Sequence, residues 1–357
     1  MKYLTKSRFK LATECPTKLF YTGKKQYANN SLNNPFLEAL AEGGFQVGEL
    51  AKYYYPNGHN IHTLNDKEAL NLTNQLLEQN DVTIFEAAIK FKNLFIRVDV
   101  LIKRGSSIRL IEVKSKSIDE RIGDSFLTQN GNGILAKWKP YLYDVAFQRF
   151  VVRSSFPNSN VTSFLLLVDK NAKSPSDGIN QKFKIVEDKN HRKGIKVSSS
   201  LNQEDLSRNL LCEVPVDYYC NLLISSEFNE NIFGLDNLID RYSESYSKDE
   251  KIKPQLKKEC RDCQFNATQE EINNGLLSGF HECWKEVLGW EDKDFEKPNV
   301  LNIWDNRKKN KDISEGRIKF SDFCEEDINP RNTRGDMELT RVERQWLQIQ
   351  KVQNNDQ

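Results

Sequence analysis

The sequence predicts an α/β fold, a mixed sheet flanked by helices, followed by a mainly helical C-terminal lobe. Three observations carry this. Residues 82–91 (VTIFEAAIKF), 94–103 (LFIRVDVLIK) and 108–115 (IRLIEVKS) are short, rich in β-branched and apolar residues and set apart by turn-like breaks, so they read as three consecutive strands. Apolar residues at helical spacing precede them over 36–55 and follow them over 138–152. A further strand-like run, 161–169 (VTSFLLLVD), completes the series; helix, three strands, helix, strand is the order of a mixed sheet with helices on its faces.

In the first helix the periodic positions are Leu37, Leu40, Ala41, Val47, Leu50, Ala51 and Tyr54, with a break expected at Gly43 and Gly44. In the second they are Trp138, Tyr141, Leu142 and Val145, and Pro140 suits a first turn, where its missing N–H has no intrahelical partner to lose. Residues 171–200 are polar and hold two short strand-like pieces, KFKIVE and GIKVS, which predict an exposed hairpin insertion. Helical stretches near 205–247, a cysteine-bearing region at 258–290 and a helix near 338–352 follow. The expected division is an N-terminal segment 1–35, a core 36–170, a hairpin insertion 171–204 and a helical lobe 205–357.

With 38% hydrophobic and 29% charged residues among 357, the composition is that of a globular chain rather than a disordered or fibrous one. The 52 Lys and Arg against 51 Asp and Glu give a net charge of +1, which excludes a global field that would draw in DNA or an anionic membrane. A nucleic-acid surface must therefore be local. Lys2, Lys6, Arg8, Lys10, Lys18, Lys24 and Lys25, interleaved with Phe9, Phe20, Tyr21 and Tyr27, suit a phosphate-facing surface, and equally a solvated charged face. No window approaches the roughly 18 consecutive apolar residues of a membrane span, and the first residues lack the apolar core of a signal peptide. The expectation is a cytoplasmic protein without a membrane partner. Its seven cysteines would then stay reduced, free to be metal ligands or core residues.

The chemistry-bearing residues lie on the second and third strands. Closing the hairpin around Arg104-Gly105-Ser106-Ser107 on either two or four loop residues sets the same register, in which Asp99 stands opposite Glu112. Opposed residues on antiparallel strands share a face with side chains about 5 Å apart. Lys114 is two residues from Glu112, so alternation puts it on that face too, while Ile111 and Val113 take the other. Two neighbouring carboxylates repel unless a cation compensates them. Hard Mg²⁺ or Mn²⁺ prefers carboxylate oxygens and keeps waters, one of which becomes a nucleophile toward a phosphodiester. Lys114 would orient or deprotonate that water, or stabilise the charge developing on phosphate. An E-x-K triplet alone is better explained by a surface salt bridge; the Asp in register, with the helix-strand order, is what turns the reading toward a nuclease centre.

The pair of segments R97-V98-D99-V100-L101 and I111-E112-V113-K114-S115 resembles motifs II and III of the PD-(D/E)XK nucleases, and most closely their RecB-like branch. That branch includes the nuclease domains of bacterial helicase-nucleases and the CRISPR adaptation exonucleases. The resemblance implies a restriction-endonuclease-like core, a catalytic centre of Asp99, Glu112 and Lys114 with Mg²⁺ or Mn²⁺ held by the two acids, and a DNA substrate. It also implies a glutamine motif on the following helix, met here by Gln148 in D144-V-A-F-Q148; a helix-surface amide is the other reading of that residue. Two departures stand out. The Tyr usual four residues after the Gln is Val152, and the first-helix metal ligand has only Glu49 as a match, which a helical wheel sets opposite the Leu40/Val47/Ala51 face and so in solvent. Glu86 on the first strand reads as supporting or structural.

Cys260-x-x-Cys263 and Cys283 supply three candidate ligands, and Cys15 in T13-E14-C15-P16-T17-K18-L19-F20-Y21 a fourth; four such thiols suit an iron-sulfur or a zinc site. RecB-like nucleases with an iron-sulfur staple carry one Cys before the core, near a C-P-x-x-aromatic sequence, and three after it. That likeness implies a 4Fe-4S cluster on Cys15, Cys260, Cys263 and Cys283. Cys283 lies farther from Cys263 than is usual, which keeps Zn²⁺ open with His281 as a rival ligand. Cys212 and Cys220 sit in an apolar run and read as core thiols, Cys324 likewise. His59, His62 and His191 have no ligand spacing. The chain also resembles the N-terminal half of an uncharacterised bacterial family in which such a module precedes an exonuclease-like domain. The expected function is metal-dependent DNA cleavage in repair or defence against foreign DNA, with a helicase or a further nuclease domain as partner. The rival is a metal-stapled nucleic-acid-binding module with a degenerate centre.

Overall fold

The computed structural model describes residues 2–32, 34–119, 126–187, 193–224, 234–329 and 339–354. Along the chain the elements are β1 (Leu4–Thr5), α1 (Lys6–Glu14), α2 (Lys18–Tyr21), α3 (Pro35–Lys52), β2 (His59–Asn60), α4 (Asp66–Leu77), β3 (Asp81–Phe91), β4 (Leu94–Arg104), β5 (Ser107–Ile118), α5 (Lys139–Ser155), β6 (Asn160–Asp169), β7 (Phe183–Glu187), β8 (Lys193–Val197) and β9 (Leu211–Pro215). Helices α6 (Asp217–Ile224), α7 (Leu235–Lys248), α8 (Gln269–Asn273), α9 (Gly279–Leu288), α10 (Lys309–Ser314), α11 (Glu325–Ile328) and α12 (Arg341–Gln353) complete it. Two units account for the chain: Met1–Thr13 with Asn33–Lys251, and Glu14–Leu32 with Ile252–Gln357. Residues 205–251 thus group with the sheet.

The first unit is α/β. Its sheet runs β2-β3-β4-β5-β6-β9, with β1 also paired to β4. β1–β4, β2–β3 and β5–β6 are parallel pairings; β3–β4, β4–β5 and β6–β9 are antiparallel. The β4–β5 turn passes through Gly105 at φ 55°, a left-handed backbone that favours glycine in tight hairpins. The strands are apolar on both faces because both are covered: α5 buries Leu142, Val145, Phe147 and Val151, and α3 packs Leu50 and Ala51 in a cluster with Val100 and Ile111.

Several expectations change. The first helix is continuous from Pro35 to Lys52 rather than broken at Gly43–Gly44, and Leu40 on its supposed inner face is 56% exposed. The hairpin β7–β8 forms where expected, but it is not free in solvent: Phe183 is buried, and Ile195 and Val197 pack with the α3 cluster. Within the stretch read as helical, Leu211–Pro215 is a strand that caps the edge of β6, a tertiary demand that local pattern does not report. Helix α4, unanticipated, starts at an Asn65 cap whose side chain accepts from the Lys67 and Glu68 N–H groups. It buries only Ala69 and Thr73, too narrow a stripe to stand out as a period.

The second unit gathers short helices and turns around Phe280, Trp284, Trp290, Val300, Phe320 and Ile349. α9 opens at Ser278, which accepts from the His281 N–H, and closes at Gly289 with φ 68°. α12 opens with a Thr340–Glu343 capping box. Cys212 and Cys220 are buried, whereas Cys324 is exposed at the start of α11 with its Sγ 3.1 Å from an Asp327 oxygen; it is not a core thiol. Among the described residues, no helix is long and apolar enough to cross a membrane.

Candidate active site

The site lies where β4 exchanges one neighbour for another. On one edge β4 pairs with β3 along its length. On the other it pairs with β5 from Arg104–Ser107 to Val100–Ile111, the register expected from the turn, and with β1 at Leu94 and Phe95. Asp99 is the first residue past the β4–β5 ladder. Its Oδ2 accepts the Val113 N–H at 2.7 Å, so the carboxylate takes over a backbone bond where the strands fork. Beyond the fork β5 continues along β6, with Glu112 beside Leu165 and Lys114 beside Leu167.

Glu112 has no exposed surface, and three side chains donate to it. Its Oε1 accepts from Lys114 Nζ at 2.5 Å and Lys6 Nζ at 2.6 Å, and its Oε2 from Gln148 Nε2 at 2.7 Å; Lys6 Nζ is also 3.9 Å from Asp99 Oδ1. Lys114 reaches Asp144 Oδ2 at 3.2 Å. Gln148, fully buried on α5, is therefore no surface amide. Two buried acceptors here, Asp144 Oδ1 and Gln148 Oε1, have no hydrogen-bond partner among the described residues.

Electrostatics divides the two acids. Burial and the Glu112 charge push Asp99 up to about 7 against the pull of Lys6 and Lys114. Burial also acts to raise Glu112, but the ammonium groups of Lys114 and Lys6, with their hydrogen bonds, outweigh it and hold this carboxyl well below the usual range. Burial alone would lower Lys114; Glu112, Asp144 and Asp99 outweigh it, so the amine stays protonated far into alkaline solution.

A cavity of about 400 Å³ opens at the fork, lined by Lys6, Asp99, Glu112 and Lys114, by Gly44, Gly48 and Glu49 of α3, and by Glu86. Two sequence readings change here. Glu49 faces this cavity rather than bulk solvent, accepting from Lys52 Nζ at 2.7 Å, because α3 turns its small-residue stripe of Ala41, Gly44 and Gly48 toward the space and carries Glu49 with it. Glu86 adopts φ 58° in mid-strand, a conformation that costs about 1 kcal/mol or more in a residue other than glycine. Lys6 was visible in sequence only as one of seven N-terminal cations. What singles it out is that β1 ends at Thr5 beside the fork, and no periodicity announces a two-residue strand.

In the second unit, Cys15, Cys260 and Cys263 line a cavity of about 200 Å³ with Glu14, Pro16 and Lys18. Burial pushes the Cys260 thiol up to about 11 and raises Cys263. Cys283 does not line this cavity; its Sγ is 3.4 Å from the Tyr21 hydroxyl. His281 stacks on Phe295, ring centroids 3.9 Å apart, against a separate cavity of about 650 Å³. Among the described residues no group of three or more His, Cys, Asp or Glu side chains stands ready to hold a metal ion. His59 is exposed, and His191 lies outside the described residues.

Comparison with protein-family models, with curated proteins and with solved structures finds no match.

Proposed function

We propose that the protein is a metal-dependent nuclease of PD-(D/E)XK type that hydrolyses phosphodiester bonds in DNA, with Asp99, Glu112, Lys114 and Gln148 as its centre. The observation that carries this reading is the fork, where two acids and a lysine from adjoining strands meet at a cavity mouth. The unpartnered Asp144 and Gln148 oxygens, the half-exposed Glu86 and the all-oxygen donor set suit a hard divalent cation. Held by Asp99 and Glu112, Mg²⁺ or Mn²⁺ would supply Lewis-acid activation of water and phosphate. Lys114, kept protonated by three carboxylates, is suited to stabilising charge on the phosphate rather than to taking a proton. Gln148 holds Glu112 in place through its amide.

The same reading gives the second unit a 4Fe-4S cluster, or Zn²⁺, on Cys15, Cys260 and Cys263, with Cys283 reaching it by a change of rotamer or backbone. Repair or defence against foreign DNA in the cytoplasm, beside a helicase or another nuclease, fits such an activity. One observation favours an inert, nucleic-acid-binding centre instead: the Lys6 ammonium already sits against both acids.

The test is a cleavage assay on single- and double-stranded, linear and circular DNA with Mg²⁺ and Mn²⁺. Wild type is expected to cleave, while Asp99→Asn and Lys114→Ala lose on the order of 10²-fold or more with the fold retained by circular dichroism. Activity that survives both substitutions sinks the mechanism.

A further inference from the structure

We infer that Lys6 is a displaceable counter-ion: its ammonium holds the Asp99–Glu112 pair in the metal-free protein, and a divalent cation binding to these acids must expel it. The inference rests on the reading of the two acids as a metal-binding pair, and it concerns how that pair is loaded.

The placement of Lys6 is built into the fold. β1 pairs with β4 at Leu94 and Phe95, and the Leu4 N–H donates to the Asn93 carbonyl at 2.9 Å. The chain turns into α1 at Lys6, one turn before Phe9, which is fully buried and stacks on Phe147 of α5 with centroids 4.7 Å apart. The backbone is thus fixed on both sides, and only the four-carbon stem is free to swing. Neighbouring cations are engaged elsewhere: Lys2 pairs with Asp249, and Arg8 lies over the Tyr246 ring.

The Lys6 Nζ takes the oxygens a metal would need. It is 2.6 Å from Glu112 Oε1 and 3.9 Å from Asp99 Oδ1, and a small divalent cation would need oxygens at about 2.0–2.2 Å. Ammonium and metal cannot share that space, since both are positive and both need the same lone pairs. The Lys6 side chain is 24% exposed and faces the 400 Å³ cavity, so it has somewhere to go without a change of backbone. Once there, its charge points into the space where a phosphodiester would lie, while Lys114, which shares Glu112 Oε1 with it, keeps Asp144 as a second partner. Lysine suits this exchange because its ammonium is a compact point charge on a flexible stem with no fixed fork geometry to break.

Mn²⁺ binding to the full-length chain, followed by the electron paramagnetic resonance of free Mn²⁺ and by the melting temperature with and without the ion, tests the inference. Lys6→Met is expected to bind Mn²⁺ roughly ten-fold tighter than wild type, the scale of one close ion pair that the metal no longer has to break. The metal-free variant should melt below wild type and regain the difference on adding Mn²⁺, whereas Lys6→Arg, which keeps the charge, should show no gain in affinity over wild type. If Asp99→Asn abolishes Mn²⁺ binding while Lys6→Met leaves it unchanged or weaker, the counter-ion role is wrong and the metal site stands. If neither wild type nor Lys6→Met binds Mn²⁺, the metal site itself is wrong and this inference goes with it. Should Lys6→Met fail to fold, Lys6→Gln, which keeps a donor to Glu112 without the charge, carries the same comparison.

Discussion

Glu112 shows how much rests on single contacts in this centre. It is an anion with no exposed surface, stabilised by two ammonium groups and one amide. Replacing Gln148 with Leu removes the amide that donates to Oε2 and leaves a buried acceptor short of a partner, so unfolding in urea should show a loss of about 1–3 kcal/mol. A titrating residue lies in the other unit. Burial and nearby Lys285 lower His281 below the ordinary imidazole range, with Asp292 opposing. A folded state that binds its proton more weakly than the unfolded chain loses stability as pH falls through about 6.5 and below. Between pH 7.5 and pH 5.5 the melting temperature of wild type should therefore fall relative to that of His281→Phe, which can keep the stack on Phe295 but has no proton to gain. At this scale the sequence was readable wherever chemistry followed alternation. The register of β4 and β5 came from a two-residue turn and a period of two. Lys6 and Glu49 did not, because their approach depends on where β1 and α3 pack, not on their own neighbours in the chain.

Helix α3 is the element whose sequence misleads most. Gly43 and Gly44 suggest a break, yet the helix runs through, and a Cβ added at either, or at Gly48, would meet open space. Gly44 and Gly48 face the cavity, so their lack of side chains keeps it roomy at a cost in helix propensity. Gly44→Ala and Gly48→Ala should each stabilise the fold by about 1 kcal/mol in thermal or denaturant unfolding. Gly279 at the start of α9 is the opposite case. A Cβ there would come within 2.9 Å of the Tyr21 ring and 3.1 Å of Phe265 Cβ, so Gly279→Ala should destabilise by about 1–3 kcal/mol by the same measurement. Strands β3 to β6 were legible, their ends within three residues, because they are long, β-branched and bounded by turns. β9 and α4 escaped notice because a short edge strand and a helix with two buried residues carry little pattern of their own.

At the scale of the molecule, the two units do not follow the order of the sequence. Residues 14–32 belong with 252–357, and the whole of 33–251 intervenes. Cys15 is thereby placed with Cys260 and Cys263 in one cavity. A metal centre there would close a very long loop, and the entropy of that closure grows only with the logarithm of loop length. On the proposed reading, Cys15→Ser and Cys260→Ser should each leave the purified protein with less iron or zinc than wild type, read by metal analysis and, for a cluster, by loss of absorbance near ~400 nm. Periodicity leads to a segment 1–35 set apart from a lobe 205–357 and not to this interleaving, since a short segment such as 14–32 carries no sign of which later residues will enclose it.

That interleaving sets a timetable for the ribosome. The sheet unit has all its residues once Lys251 has emerged and can fold while synthesis continues. The segment 14–32, translated well ahead of 252–357, must wait until those residues have been made before its own unit can form. While the intervening residues are being added, Cys15 is a solvent-accessible thiol with neither of its cavity neighbours yet in existence, dependent on the reducing state of its surroundings to reach assembly unmodified.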